Sequence, residues 1–189
     1  GLALTDIDIP SFVQAASDCE TQVTPFSGGS DINVFDCNAV VDTSQKVIDN
    51  VREFLKGCRG YLPYTSGKYK LIIEKTGSAA ITLTEDDIIG GFNLQSADKN
   101  NKYNRVIASY VNPARNYQVD EAQFPPIDDS SLTSADQHAT MKSADGGFLL
   151  EGRFDFKNLT STYQAEEMAE VILRRSREAL KIDITCGLE

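Results

Sequence analysis

The sequence is poor in the residues that usually do chemistry. It has no tryptophan, two methionines and a single histidine, His138. A Ser-His-Asp or Cys-His arrangement would have to use that one imidazole. His138 falls in a stretch with few structure signals, so it reads as an exposed loop histidine. The four cysteines, Cys19, Cys37, Cys58 and Cys186, include no CxxC pair. Zinc sites normally draw on such pairs, so the cysteines read as small, mostly buried, reduced hydrophobes. No run approaches the roughly 18 apolar residues that a membrane helix needs. The opening, Gly1-Leu2-Ala3-Leu4-Thr5-Asp6, lacks the basic and apolar regions of a signal peptide. It reads as the interior of a longer chain, and Leu188-Glu189 reads as a junction left by cloning.

Cations are also scarce: 18 Lys and Arg stand against 28 Asp and Glu, a net charge of −10. That balance argues against gripping the outside of duplex DNA, which takes a basic face. It argues equally against an anionic membrane surface. Two readings remain open. Acidity keeps a protein soluble, and it also suits the wall of a conduit that must not hold DNA passing through it.

What is present is an ordinary folding sequence of 189 residues, 41% hydrophobic and 24% charged. That length is one domain or two small ones. Pro10 marks a first helical turn, with a helix expected to about Cys19. A strand is expected over 32–41. Asp42 and Gln45 form a capping-box pattern before Val47, Ile48, Val51, Phe54 and Leu55, which share one helical face, so a helix is expected over 42–58. Tyr61–Thr65 and Lys68–Glu74 flank Ser66-Gly67 as a hairpin, and a further strand is expected at Ala79–Leu83.

Gly90-Gly91 signals a bulge or hinge. Phe92–Ser96 and Arg105–Val111 are expected strands; in the second, Val106, Ala108 and Tyr110 share one face. Residues 118–145 carry Pro125-Pro126 and many small polar residues, and read as one long loop. A strand is expected over Gly147–Phe156. A strong helix is expected over 160–180, with Ala165, Met168, Ala169, Ile172 and Leu173 as its apolar stripe. Arg174, Arg175 and Arg177 near its end suit the helix dipole. Ile182, Ile184 and Cys186 alternate as a last strand, whose partner is expected outside this sequence.

Other possible sites read as surface features. Acidic residues cluster at Asp6, Asp8, Glu85, Asp86, Asp87, Asp128 and Asp129. Glu85-Asp86-Asp87 sits at a turn, and no calcium-loop spacing accompanies it. Gly28-Gly29 and Gly90-Gly91 match no phosphate loop. Lys99, Lys102 and Arg105 with Tyr103 read as a turn surface rather than a nucleic-acid contact. The sequence therefore offers no catalytic, cofactor-binding or metal site, and no cofactor is expected.

Three stretches carry a resemblance. They are Leu4-Thr5-Asp6-Ile7-Asp8-Ile9-Pro10-Ser11-Phe12; Val40-Val41-Asp42-Thr43 through Cys58-Arg59-Gly60 to Ser66-Gly67-Lys68-Tyr69-Lys70-Leu71; and Ile88-Ile89-Gly90-Gly91, then Tyr103-Asn104-Arg105-Val106 to Val111-Asn112-Pro113. In this order they resemble the central part of the tip attachment (host specificity) protein J family of lambda-like siphophages and prophages. The resemblance implies a structural piece of a trimeric tail-tip hub, partnered by itself and by other tail proteins. Its ring would continue the tail tube in the virion, with DNA only as cargo and no direct membrane contact. Such a protein is made and assembled in the host bacterial cytoplasm.

The expected fold is α+β, with antiparallel β meanders and two main helices. Residues 1–88 would form a helix-plus-hairpin module, and 89–189 a piece of a barrel-like tube domain with one long helix. Two other functions stay open: a carbohydrate- or receptor-binding module at the tip, and, more remotely, a wall-degrading tail enzyme. If the cysteines are reduced, thiol titration in denaturant should count four; a lower count would mean a disulfide.

Overall fold

The computed structural model describes residues 3–24, 30–75, 77, 82–96, 102–125, 133–178 and 180–187. Its architecture is α+β. The main core lies between a three-stranded sheet and one helix. Strand β8 (Arg105–Asn112) is central. It pairs antiparallel with β9 (Gln118–Phe124) and parallel with β10 (Glu151–Asp155). Helix α4 (Thr162–Ser176) lies across it. Val106, Ala108 and Tyr110, at alternate positions, meet Ala165, Met168, Ala169 and Leu173, spaced three and four apart. Leu159, in the turn leading to α4, is fully buried in the same cluster. Alanines on the facing surfaces let helix and sheet approach closely.

The N-terminal elements are smaller. Helix α1 (Ile9–Cys19) begins with proline in its first turn and packs on β6 (Ile72–Ile73). Helix α2 (Val47–Gly57) leads into β3 (Gly60–Tyr61), which pairs with β6. Between them β4 (Tyr64–Thr65) and β5 (Lys68–Tyr69) close a hairpin. Ser66 and Gly67 both have positive φ, 53° and 76°, as a two-residue turn between twisted strands requires. Strands β1 (Gln22–Val23) and β2 (Ile32–Asn33) form a short ladder. A second, small core joins Ala15, Phe35 and Ile73.

The third unit is a two-stranded ribbon of β7 (Ile88–Ser96) and β11 (Leu180–Cys186). Gly90 has φ +93°, and the register shifts opposite it, between Ile184 and Cys186. The bulge signal at Gly90-Gly91 is realised there.

Several expectations are corrected. Residues 118–145 are not one loop: they hold β9 and helix α3 (Thr133–Ala144), so His138 is helical. The connection that supplies them also makes β10 parallel to β8, where only antiparallel pairing was expected. Helix α2 starts at Val47, not near Asp42. The Asp42 carboxylate accepts bonds from the Ser44 backbone at 2.9 Å, the Ser44 hydroxyl at 2.6 Å and the Gln45 amide at 3.0 Å, closing a separate turn before the helix.

The strand expected over 32–41 stops at Asn33. Beyond it, the backbone carbonyls of Val34 and Asp36 accept from Gln164 instead. The strand over 147–156 shortens to β10, because Gly146 and Gly147 turn the chain with φ of 75° and 85°. The last strand finds its partner, β7, within this sequence. No closed barrel forms among the described residues. Of the strand at 79–83, residues 79–81 lie outside the described residues, as do Gly28-Gly29, Lys99, Asp128, Asp129 and Leu188-Glu189; Thr82 and Leu83 are not in a strand.

Leu159→Ala should cost about 3 kcal/mol, since it empties a fully buried site between helix and sheet. Urea unfolding checks this; a loss below about 1 kcal/mol would show that the site collapses.

Candidate functional site

Helix α4 holds the N-terminal elements to the sheet with polar side chains. Buried Gln164 donates to the backbone oxygens of Val34 (3.4 Å) and Asp36 (3.3 Å). Glu167 pairs with Arg59 at 3.1 Å, and the Arg59 guanidinium stacks 5.0 Å from the Phe35 ring centroid. Arg175 pairs closely with Glu74. Arg59 sits at φ 52° where α2 turns into β3. Beside it, a Cβ on Gly60 would come within 2.9 Å of Leu55 Cδ2 and 3.0 Å of Cys58 Sγ. The Cys58-Arg59-Gly60 stretch is thus a tight corner that aims a cation at α4.

A second polar cluster lies at the other end of α4. Asp145 is almost fully buried. It accepts from Arg177 at 2.8 Å, from Lys102 at 2.6 Å and from Asn104 at 3.2 Å. These bonds, that from Arg177 foremost, hold its carboxyl far below the ordinary value against the opposing effect of burial. Asn104, fully buried, also donates to the Phe148 carbonyl at 2.9 Å and accepts from the Leu150 amide at 2.9 Å. The cluster pins the start of β8 to the turn before β10. The basic group expected on a turn surface therefore divides: Lys102 and Arg105 serve internal pairs, and Tyr103 packs edge-on against Phe154. Arg177, expected to suit the helix dipole, is the half-buried partner of Asp145. Asp145 carried no sequence signal, since nothing local distinguishes it from any acid before a Gly-Gly turn.

An open groove of about 350 Å³ runs between α2, β3 and α4, lined by Arg52, Lys56, Arg59, Tyr61, Glu74 and Arg175 among others. Its cations already have partners within the chain: Asp49 for Arg52, the Asp155 carbonyl for Lys56, Glu167 and Glu74 for the other two. Its lining contains no serine, cysteine or histidine. Among the described residues no group of three or more His, Cys, Asp or Glu converges as metal ligands would.

Thr84 and Asp87 bracket the acidic turn at Glu85-Asp86-Asp87, with the Thr84 amide and hydroxyl donating to the Asp87 carboxylate at 2.7 and 2.8 Å. The cysteines are free, but less buried than expected: Cys37 is exposed and the others are half-buried. Burial first, then the neighbouring Cys58 and acidic groups, pushes the Cys19 thiol up to about 11.

Another unsatisfied feature is apolar. On the β7–β11 ribbon, Phe92 faces Ile184 and Leu94 faces Ile182 across the strands. These four side chains share one face and are 42–62% exposed. Asn93, Gln95 and Asp183 alternate with them on the other face. Two strands alone are marginal in water, so this amphipathic ribbon has the pattern of a surface that another protein covers.

The chain has a relative in a phage tail. It is 28% identical over 140 residues to the baseplate hub protein pb3 of Escherichia phage T5. The match covers 74% of this chain but only 14% of that protein. No family model matches. The likeness is to part of a phage baseplate hub protein, a coarser kinship than the protein J family. No helix among the described residues is long and apolar enough to cross a membrane.

Asp145→Asn should cost about 3 kcal/mol by leaving Arg177 without its buried partner. Because the carboxyl is held below its ordinary value of 3.8, its contribution is complete above that pH and is lost as pH falls below it. The acid limb of stability below about pH 4 should flatten in the variant; an unchanged limb would assign it to other groups.

Proposed function

We propose that this chain is a structural, non-enzymatic segment of a phage tail-tip hub, of the kind that the tip attachment protein J represents. In this reading three copies surround the tail axis and continue the tail tube, contacting other tail proteins and passing DNA as cargo. The virion tail is its place, after assembly in the host cytoplasm.

The observation that carries the reading is the uncovered apolar face of the β7–β11 ribbon in a chain similar to a baseplate hub protein. The ribbon has an unpaired outer edge on each strand among the described residues, so strands of a neighbouring subunit can extend it. Its apolar face then packs against protein, and its polar face, with Asp183, turns to the lumen. The net charge of −10 suits a wall past which a polyanion slides.

Phe92→Asp combined with Ile184→Lys, an opposite-charge pair across the ribbon, tests this in the virion that carries the chain. Both side chains are exposed, so the isolated chain should keep its fold. Infectious particles should fall at least about 100-fold, through loss of tail assembly. Normal titres with assembled tails would refute the ribbon as an assembly surface, and saturable glycan binding by the isolated chain would favour a receptor-binding module instead.

A further inference from the structure

Helix α3 is attached differently from the other helices. Among the described residues it is held to the body by Met141 and, in the turn just after the helix, by Asp145, and His138, three residues before Met141, lies on the same face with its Nε2 buried. Met141 packs on the edge of the main core, where an open groove is lined by Phe124, Leu173, Arg174, Arg177 and Glu178. Asp145 carries the buried cluster already described. His138 lies at the far end of this face. Its Nε2 is buried and has no hydrogen-bond partner, and the same holds for the nearby Arg105 Nε.

The charges around His138 are unfavourable to a proton. From β8 comes Arg105, whose guanidinium is held by Gln123 of β9 and by Glu151 of β10 at 3.4 Å. Lys142 follows on the helix itself. Arg174, Arg177 and Glu178 from α4 and its end line the groove beside Met141. Burial first, then Lys142 and Arg105, lower the imidazole's affinity for a proton below the ordinary 6.5.

We propose that α3 is an acid-releasable cover over the Phe124–Leu173 face, with neutral His138 as its latch. A proton on His138 would place a third cation beside Arg105 and Lys142, in a half-buried site where Nε2 has no acceptor. Release of the helix returns the imidazolium to water and uncovers Phe124. The sign follows from linkage. The latch holds fully above about pH 6.5 and weakens as pH falls from there toward the lower value of the closed form. Asp145 stays ionised throughout this window, so the two ends of the face respond to different pH ranges.

Because the chain has one histidine, its imidazole C2 proton gives an unambiguous NMR titration. That titration should fall below 6.5. Amide exchange over 133–144, corrected for its intrinsic pH dependence, should show opening that grows up to about tenfold per pH unit below 6.5. Amides of β8 should not follow. His138→Gln should remove this pH dependence, and Lys142→Gln should raise the histidine's titration point. If His138 titrates at or above 6.5, or if α3 opens equally in His138→Gln, the latch is disproved. If His138→Gln does not fold, wild-type exchange decides: opening over 133–144 that does not grow below pH 6.5, while β8 stays protected, disproves the latch.

Discussion

The three-stranded sheet, the N-terminal elements and the turn after α3 all depend on the seam between α4 and β8. Ala108, Val106, Ala165, Ala169 and Leu159 are fully excluded from water there. Burying Val106 and Leu159 is worth roughly 1.5–3 kcal/mol each and each alanine methyl about 0.8 kcal/mol, which makes the seam a major source of stability. The same helix presents Gln164 and Glu167 on another face, and these hold the N-terminal elements. Just past its end, Arg177 closes on Asp145. One helix thus orders the sheet, the N-terminal module and the turn that carries α3.

Against this well-buried frame, the ribbon stands apart. Its side chains match those of the core in type but not in environment. The proposed role in assembly would use such a division: a frame held by its own core, and a face that a neighbour covers. The groove between α2 and α4 lacks the corresponding readiness for a ligand, because its charges are already paired with one another.

The parts legible in the sequence are those whose signal is local. Ala165, Met168, Ala169, Ile172 and Leu173 repeat at helical spacing, and α4 follows. Ser66-Gly67 requires two positive φ angles, and the hairpin follows. Alternation at Val106, Ala108 and Tyr110 gave both β8 and its buried face. The parts that were missed depend on distant partners. Helix α3 has no apolar stripe, only Met141 against the core and the charged cluster at Asp145 just past its end. Strand β9 is ladder-paired to β8 despite its polar composition. The β7–β11 pairing joins segments about ninety residues apart, and nothing in either announces the other. The stretches that carried the family resemblance prove structural where their roles can be traced: Ser11 accepts from the Leu71 amide at 3.1 Å, Arg59 clamps α4, and Asn104 is buried in the cluster that starts β8.

The most direct measurement is a cryo-microscopy reconstruction of the tail that carries this chain. The account predicts the segment on the tail axis, with the Phe92, Leu94, Ile182 and Ile184 face of the ribbon covered by a neighbouring subunit. A segment off the axis, with that face open to solvent, would contradict it.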